Sequence, residues 1–203
     1  EFAIIRCGYR GASSGALVID PMYEENIRGA IDAGIPVGVY FFTQALDEVE
    51  AVEEASMVIR LIEEYDVDYP VFLDSESTGG SGRADGLDAR ERTAAHKAFL
   101  ETISAAGYET GVYASRNWLN DRLNMTELSE YRTWLAEYAD VPAYDGYYHM
   151  WQYTSKGRVN GIETNVDLNL CYMNIDTSIN HAKGAAGYSG VISGDSGNVP
   201  TTD

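Results

Sequence analysis

Apolar positions along the first two thirds of the chain alternate between two rhythms. FAIIRC (2–7) is a short apolar run of strand length. PMYEENIRGAIDAG (21–34) then carries Met22, Ile27, Ala30 and Ile31 at helical spacing, with Gly34 as a stop. IPVGVYFF (35–42) is apolar almost throughout, the pattern of a strand covered on both faces. Residues 47–65 form an acidic amphipathic helix with Val49, Val52, Ile59 and Ile62 on its inner side. PVFLDSE (70–76) is the next strand, and STGGSGRADG (77–86) reads as a flexible glycine-rich loop. Asp88 with Glu91 has the form of a capping box and opens a helix through Phe99, Leu100 and Ile103 to Gly107. YETGVYAS (108–115) is a strand, followed by a shorter helical piece around 116–130. YRTWLAEY (131–138), GYYHMWQYT (146–154) and ETNVDLNLC (163–171) are three more strands with only loops between them.

Strands that alternate with helices predict a parallel sheet, because a parallel pair needs a long crossover connection. With several such units in succession, the expected fold class is α/β, closed as a barrel, with an irregular last third. Residues 1–176 form the expected domain. The tail 177–203, rich in Gly, Ser, Asn and Thr, reads as a linker to a further module.

Charge and composition narrow the function classes. Asp and Glu number 32 against 14 Lys and Arg, a net charge of −18, so nucleic acid and anionic membrane surfaces are expected to be repelled. No run approaches the roughly 18 apolar residues of a membrane helix, and EFAIIRCGYR has no signal-segment pattern. Cys7 and Cys171, far apart on predicted strands, read as free thiols, and no Cys/His cluster has zinc spacing. No helix opens on a dinucleotide or P-loop glycine pattern, so neither a cofactor nor a metal is expected.

The chemistry lies at the strand ends. In VFLDSES an apolar run ends in Asp74 and Glu76, which a strand turns to the same face. Two neighbouring carboxyls raise each other's proton affinity when partly desolvated, which suits acid catalysis but also occurs in structural networks. Barrel enzymes build their sites at the carboxyl ends of strands. There this chain offers Tyr40 and Phe42, Tyr113, then Trp134, Glu137 and Tyr138, then Trp151, Gln152 and Tyr153, and last Asp167 and Asn169. Fifteen tyrosines and three tryptophans suit a groove that stacks on sugar rings, though aromatics are also ordinary strand residues. Among the histidines, His96 reads as a surface residue of its helix and His149 as structural, while Arg6 reads as turned inward to pair with a core carboxylate.

The segments FAIIRCGYR, GIPVGVYFF, VFLDSES, GVYAS, TWLAEY and WQYTSKGRVNGIETNVDLN, in this order, resemble glycoside hydrolase family 25, the muramidases of phage endolysins and bacterial autolysins. The resemblance runs from residue 1 to about 176 and implies a modified barrel of the (β/α)5β3 type. It implies cleavage of the β-1,4 bond between N-acetylmuramic acid and N-acetylglucosamine in peptidoglycan. It also implies a retaining, substrate-assisted course with Glu76 as general acid and base and Asp74 beside it. By the same resemblance Asp167, Tyr113, Trp134 and Tyr138 line the sugar groove, joined by Tyr40, Phe42 and Gln152 from the strand-end reading. Family members carry a first strand with an Asp-Val-Ser motif and a helix before the equivalent of FAIIR. Both are expected upstream of residue 1, which leaves strands 2–7 and 163–171 as the open edges. The protein is then expected to be a monomer acting outside the cell or at the wall, with a wall-binding module elsewhere in its full length. The alternatives are a sugar-binding barrel without turnover and a related glycosidase acting on chitin.

Overall fold

The computed structural model describes residues 1–174, so the tail read as a linker lies outside the described residues. Eight strands form one curled sheet in the order β2-β1-β3-β4-β5-β6-β7-β8. They are β1 (Ala3–Arg10), β2 (Leu17–Ile19), β3 (Val37–Phe42), β4 (Val71–Asp74), β5 (Thr110–Ser115), β6 (Arg132–Ala136), β7 (Met150–Gly157) and β8 (Val166–Cys171). The helices are α1 (Tyr23–Asp32), α2 (Glu48–Ile62), α3 (Ala89–Ala105) and α4 (Arg116–Asp121). Strand β1 and β3 through β7 pair in parallel, and β2 and β8 add antiparallel strands at the two ends. The sheet curls as a modified barrel does, but among the described strands β8 does not pair with β1 or β2.

Strand β1 runs three residues beyond its apolar core and doubles back into β2, which sequence periodicity did not show because only three residues of it pair. The edges are therefore β2 and β8, and β1 is an edge only below its bulge at Arg6–Gly8. Helix α3 opens as expected: Asp88 Oδ1 accepts from the Glu91 N–H at 2.8 Å and Glu91 Oε2 accepts from the Asp88 N–H at 3.0 Å. Helix α4 stops after six residues.

Two apolar layers follow from strand alternation. Outward-facing Ile5, Cys7, Val37, Val39, Phe41, Val71 and Leu73 pack under the helices together with Ile27, Val58, Ile62, Phe99 and Ile103. Helix α2 departs from its apolar pattern at its start: Val49 and Val52 are exposed, whereas Ile62 is buried and Ile59 packs on the core, with Ala51, Ala55 and Val58 buried beside them. Glu54 is fully buried beside them, where it accepts from Arg10 Nε at 2.8 Å and Thr43 Oγ1 at 2.7 Å. His96 is buried rather than on the surface, its Nδ1–H donating to the Arg92 carbonyl at 2.8 Å, and burial pushes its pKa down to about 3. Cys7 is buried and Cys171 half-buried, both as free thiols.

Candidate functional site

The inner face of the sheet is organised in rows by its register. Phe42, Asp74, Tyr113, Trp134, Met150 and Cys171 are successive partners across six strands, so they share one face and one level. Two residues further along the strands, Ala136, Gln152 and Asn169 form the next level, and Glu76 follows Asp74 by the same step. Strand β8 runs antiparallel, so Asp167, near its beginning, reaches the same end of the barrel as the carboxyl ends of its neighbours.

These residues surround a cavity of about 670 Å³ whose wall includes Tyr40, Asp74, Glu76, Tyr113, Trp134, Gln152, Asp167 and Asn169. Its other side is apolar, made by Phe2 just before β1, Ile4 of β1, Val159 and Ile162 of the β7–β8 loop, and Val166 and Leu168 of β8. That apolar half was missed in the sequence because β1 and β8 meet only through the curl of the sheet.

At the end of β4 the two carboxyls share a hydrogen bond. Asp74 is 5% exposed, and Glu76 is open to solvent. Burial, the charge of Glu76 and the shared hydrogen bond push Asp74 well above the usual carboxylate range, against a lowering by Arg6. Glu76 is raised too, by desolvation and by Asp167, but the hydrogen bond from Asp74 opposes this. Asp74 is the more buried partner of the pair. One oxygen of Asp74, Oδ1, is buried without a partner. Asp167 is raised by desolvation and is exposed.

The aromatic residues fall into two groups. Tyr113 and Trp134 are 6% and 4% exposed, so they are the packed floor of the cavity and not open stacking faces. Trp134 meets Tyr113 edge-on with centroids 4.5 Å apart and Phe72 at 5.1 Å. Tyr138, 59% exposed, stands on the rim outside the cavity wall. Its hydroxyl and that of Tyr113 both donate to Gln152 Oε1, at 2.8 and 3.0 Å. Phe42 shares the inner face by register, yet it does not line the cavity. Tyr40 does, and burial followed by the charge of Asp74 pushes its hydroxyl up to about 12.

Arg6 pairs with Asp20, just after β2, through Nε at 2.5 Å, and it stands near enough to Asp74 to lower its pKa. His149 lies at the opposite end of the barrel, where its Nδ1 accepts from the Thr133 N–H at 3.1 Å. Among the described residues no three His, Cys, Asp or Glu side chains group so as to hold a metal ion, and no helix is long and apolar enough to cross a membrane.

Comparison with known proteins gives a consistent picture. The family model described as "Glycosyl hydrolases family 25" matches residues 5–162. An autolytic lysozyme of Clostridium acetobutylicum is 30% identical over 161 residues, 79% of this chain and 47% of that protein, so the chain spans about half of that relative's length. The modular autolysin LytC of Streptococcus pneumoniae, solved with a synthetic peptidoglycan ligand, superposes with a TM-score of 0.71 at 31% identity, covering 82% of this chain and 39% of that one. A lysozyme from Streptomyces coelicolor, 20% identical, shares the fold with a TM-score of 0.69 over 91% of this chain and 86% of its own.

Proposed function

The chain belongs to glycosyl hydrolases family 25, and from that membership and the geometry of its cavity we propose that it is the catalytic domain of a peptidoglycan hydrolase. The bond cleaved is the β-1,4 link between N-acetylmuramic acid and N-acetylglucosamine. The observation that carries this reading is the Asp74–Glu76 pair, two hydrogen-bonded carboxyls with raised pKa at the floor and mouth of one cavity.

The roles follow from exposure. Glu76, at the mouth, reaches the glycosidic oxygen and donates the proton; it then takes one from the attacking water. Asp74 Oδ1, buried and unpartnered, accepts the N–H of the substrate's 2-acetamido group. That bond stabilises the Asp74 anion, so substrate binding moves the shared proton from Asp74 to Glu76 and arms the acid. The acetamido oxygen, held by the same contact, attacks the anomeric carbon, and ionised Asp74 stabilises the positive charge that develops. The anomeric configuration is then retained. Tyr138 on the rim and Asp167 at the mouth contact the sugars flanking the cleaved bond, and Gln152 fixes the hydroxyls of Tyr113 and Tyr138.

Two of the relatives extend well beyond the matched region, 47% and 39% of their lengths being covered, which fits a wall-binding module elsewhere in the full-length protein and action at the cell wall. The test is release of reducing ends from purified peptidoglycan by the full-length protein, with the new ends identified after borohydride reduction. Muramic ends support the reading. Glucosamine ends, or wall binding without any release, refute it.

A further inference from the structure

We propose that Asp85 is a positioning residue for Glu76: its carboxylate gathers the glycine-rich segment that follows Glu76 and so sets where the acid stands. The proposal rests on the reading of Glu76 as the catalytic acid.

Residues 77–86 read as a flexible loop, but Ser77, Thr78, Gly80 and Gly82 fold onto one side chain. Asp85 Oδ1 accepts from the Thr78 N–H at 3.2 Å, and Oδ2 accepts from the Gly80 N–H at 2.7 Å and the Gly82 N–H at 3.3 Å. The hydroxyls of Ser77 and Thr78 donate to Oδ2 as well, each at 3.3 Å. Gly80 has φ +81°, a left-handed backbone that lets its N–H turn inward. Desolvation raises the Asp85 carboxyl, but the backbone donors outweigh it and hold it below its ordinary value.

The gathered loop is itself anchored to three neighbours. The Arg83 N–H donates to the Ala12 carbonyl at 3.0 Å, the Ala84 N–H to Gln44 Oε1 at 3.3 Å, and Arg92 Nη2 to the Ala84 carbonyl at 2.9 Å. Glu76 lies past the last residue of β4, exposed, between two fixed points. Behind it the Ser75 N–H donates to the Tyr113 carbonyl at 3.0 Å, and ahead of it Thr78 is held by Asp85. Two residues strung between such points have one course only while both points hold. Asp85 is outside the cavity wall, so it acts through the backbone and not on substrate.

The test compares Asp85→Ala, Asp85→Asn and Gly80→Ala in the full-length protein. The readouts are amide exchange of residues 78–82, the carboxyl titration of Glu76 by ¹³C NMR, and kcat and KM on purified peptidoglycan. A misplacement of the order of 1 Å costs about 10²-fold, so kcat should fall roughly 10- to 100-fold in each variant. KM should change by less than about threefold, since uniform binding is untouched. Glu76, facing Asp74 and Asp167, should titrate closer to an ordinary glutamate once it drifts from both. Asn brings one acceptor oxygen and an amide that meets the loop's N–H groups, so Asp85→Asn should fail to rescue. Gly80→Ala meets no atom within 4 Å but is strained at its φ, and it opens the shortest bond without changing charge; it decides the matter if the Asp85 variants do not fold. Lost amide protection with unchanged kcat and unchanged Glu76 titration overturns the proposal. A parent protein that releases no reducing ends, yet whose Glu76 titration responds to Asp85→Ala, refutes the hydrolase reading and upholds the positioning role.

Discussion

Trp134 donates its indole N–H to Asn169 Oδ1 at 2.9 Å, a bond that reaches from β6 to β8 across the intervening β7. With 4% of its surface exposed, Trp134 is a core residue of the barrel's interior before it is anything else. Trp134→Ala should therefore cost about 3–5 kcal/mol of stability, the usual range for a buried Trp or Phe. Trp134→Phe, which keeps most of the volume and loses the donor, should cost much less. Urea unfolding measures both, and a stable Trp134→Ala protein with weakened sugar binding would show that this floor residue serves the sugar more than the fold.

Glu76→Gln preserves shape and hydrogen-bonding capacity but carries no transferable proton. General acid–base catalysis contributes about 10²–10⁴ in rate, so kcat should fall by at least that order while binding of glycan fragments persists. Retention of most of the activity would remove Glu76 from the role.

Asp74→Asn should move the basic limb of the kcat/KM profile to lower pH. In the parent protein the second ionisation of the pair places two negative charges side by side, which holds the last proton to higher pH. With Asn at 74 that repulsion is gone and Glu76 loses its proton earlier. A basic limb that stays in place, or moves up, contradicts the shared proton.

Burial pushes Glu54 up to about 7, against the hydrogen bonds of Thr43 and Arg10 that favour its anion. A raised pKa means that the folded protein binds this proton more tightly than the unfolded chain. The contribution to stability is thus full below the ordinary value near 4.5 and is lost as pH rises through about 7. Glu54→Gln should flatten the fall in stability between those pH values, as read from urea midpoints. An equally steep profile in the variant would place the titration elsewhere.

Tyr113→Phe removes one of two donors to Gln152 Oε1 in a buried setting and should cost about 1 kcal/mol, the net worth of a typical hydrogen bond. Tyr138→Phe removes the other at the exposed rim, so its effect should appear in KM more than in stability. Equal stability losses in the two variants would show that the rim is as ordered as the floor.

Much was legible in the linear chain for a plain reason: strand and helix periods are local, and so is the change from apolar run to carboxylates at residue 74. The parallel order, the capping box of α3 and the shared face of Asp74 and Glu76 all follow from such local patterns. The family resemblance singled out Glu76, Asp74 and Asp167, three carboxyls that the structure brings to the mouth and floor of one cavity.

Other features depended on contacts between distant segments, which no local period encodes. The same strand alternation turns Tyr113, Trp134 and Phe42 inward, but only packing decided that the first two form a buried floor and the third misses the cavity wall. Helix α2 has an apolar stripe through Val49 and Val52, yet these two lie in solvent while Glu54, held by Arg10 44 residues away, is buried. The glycines after Glu76 indicate conformational freedom, and Asp85 removes it by accepting five donors at once. Sequence determined which residue types were available at each strand end, because that depends on neighbours one to four positions away. Tertiary structure decided that both carboxyls are raised, because desolvation and charge act through space on Asp74 and Glu76.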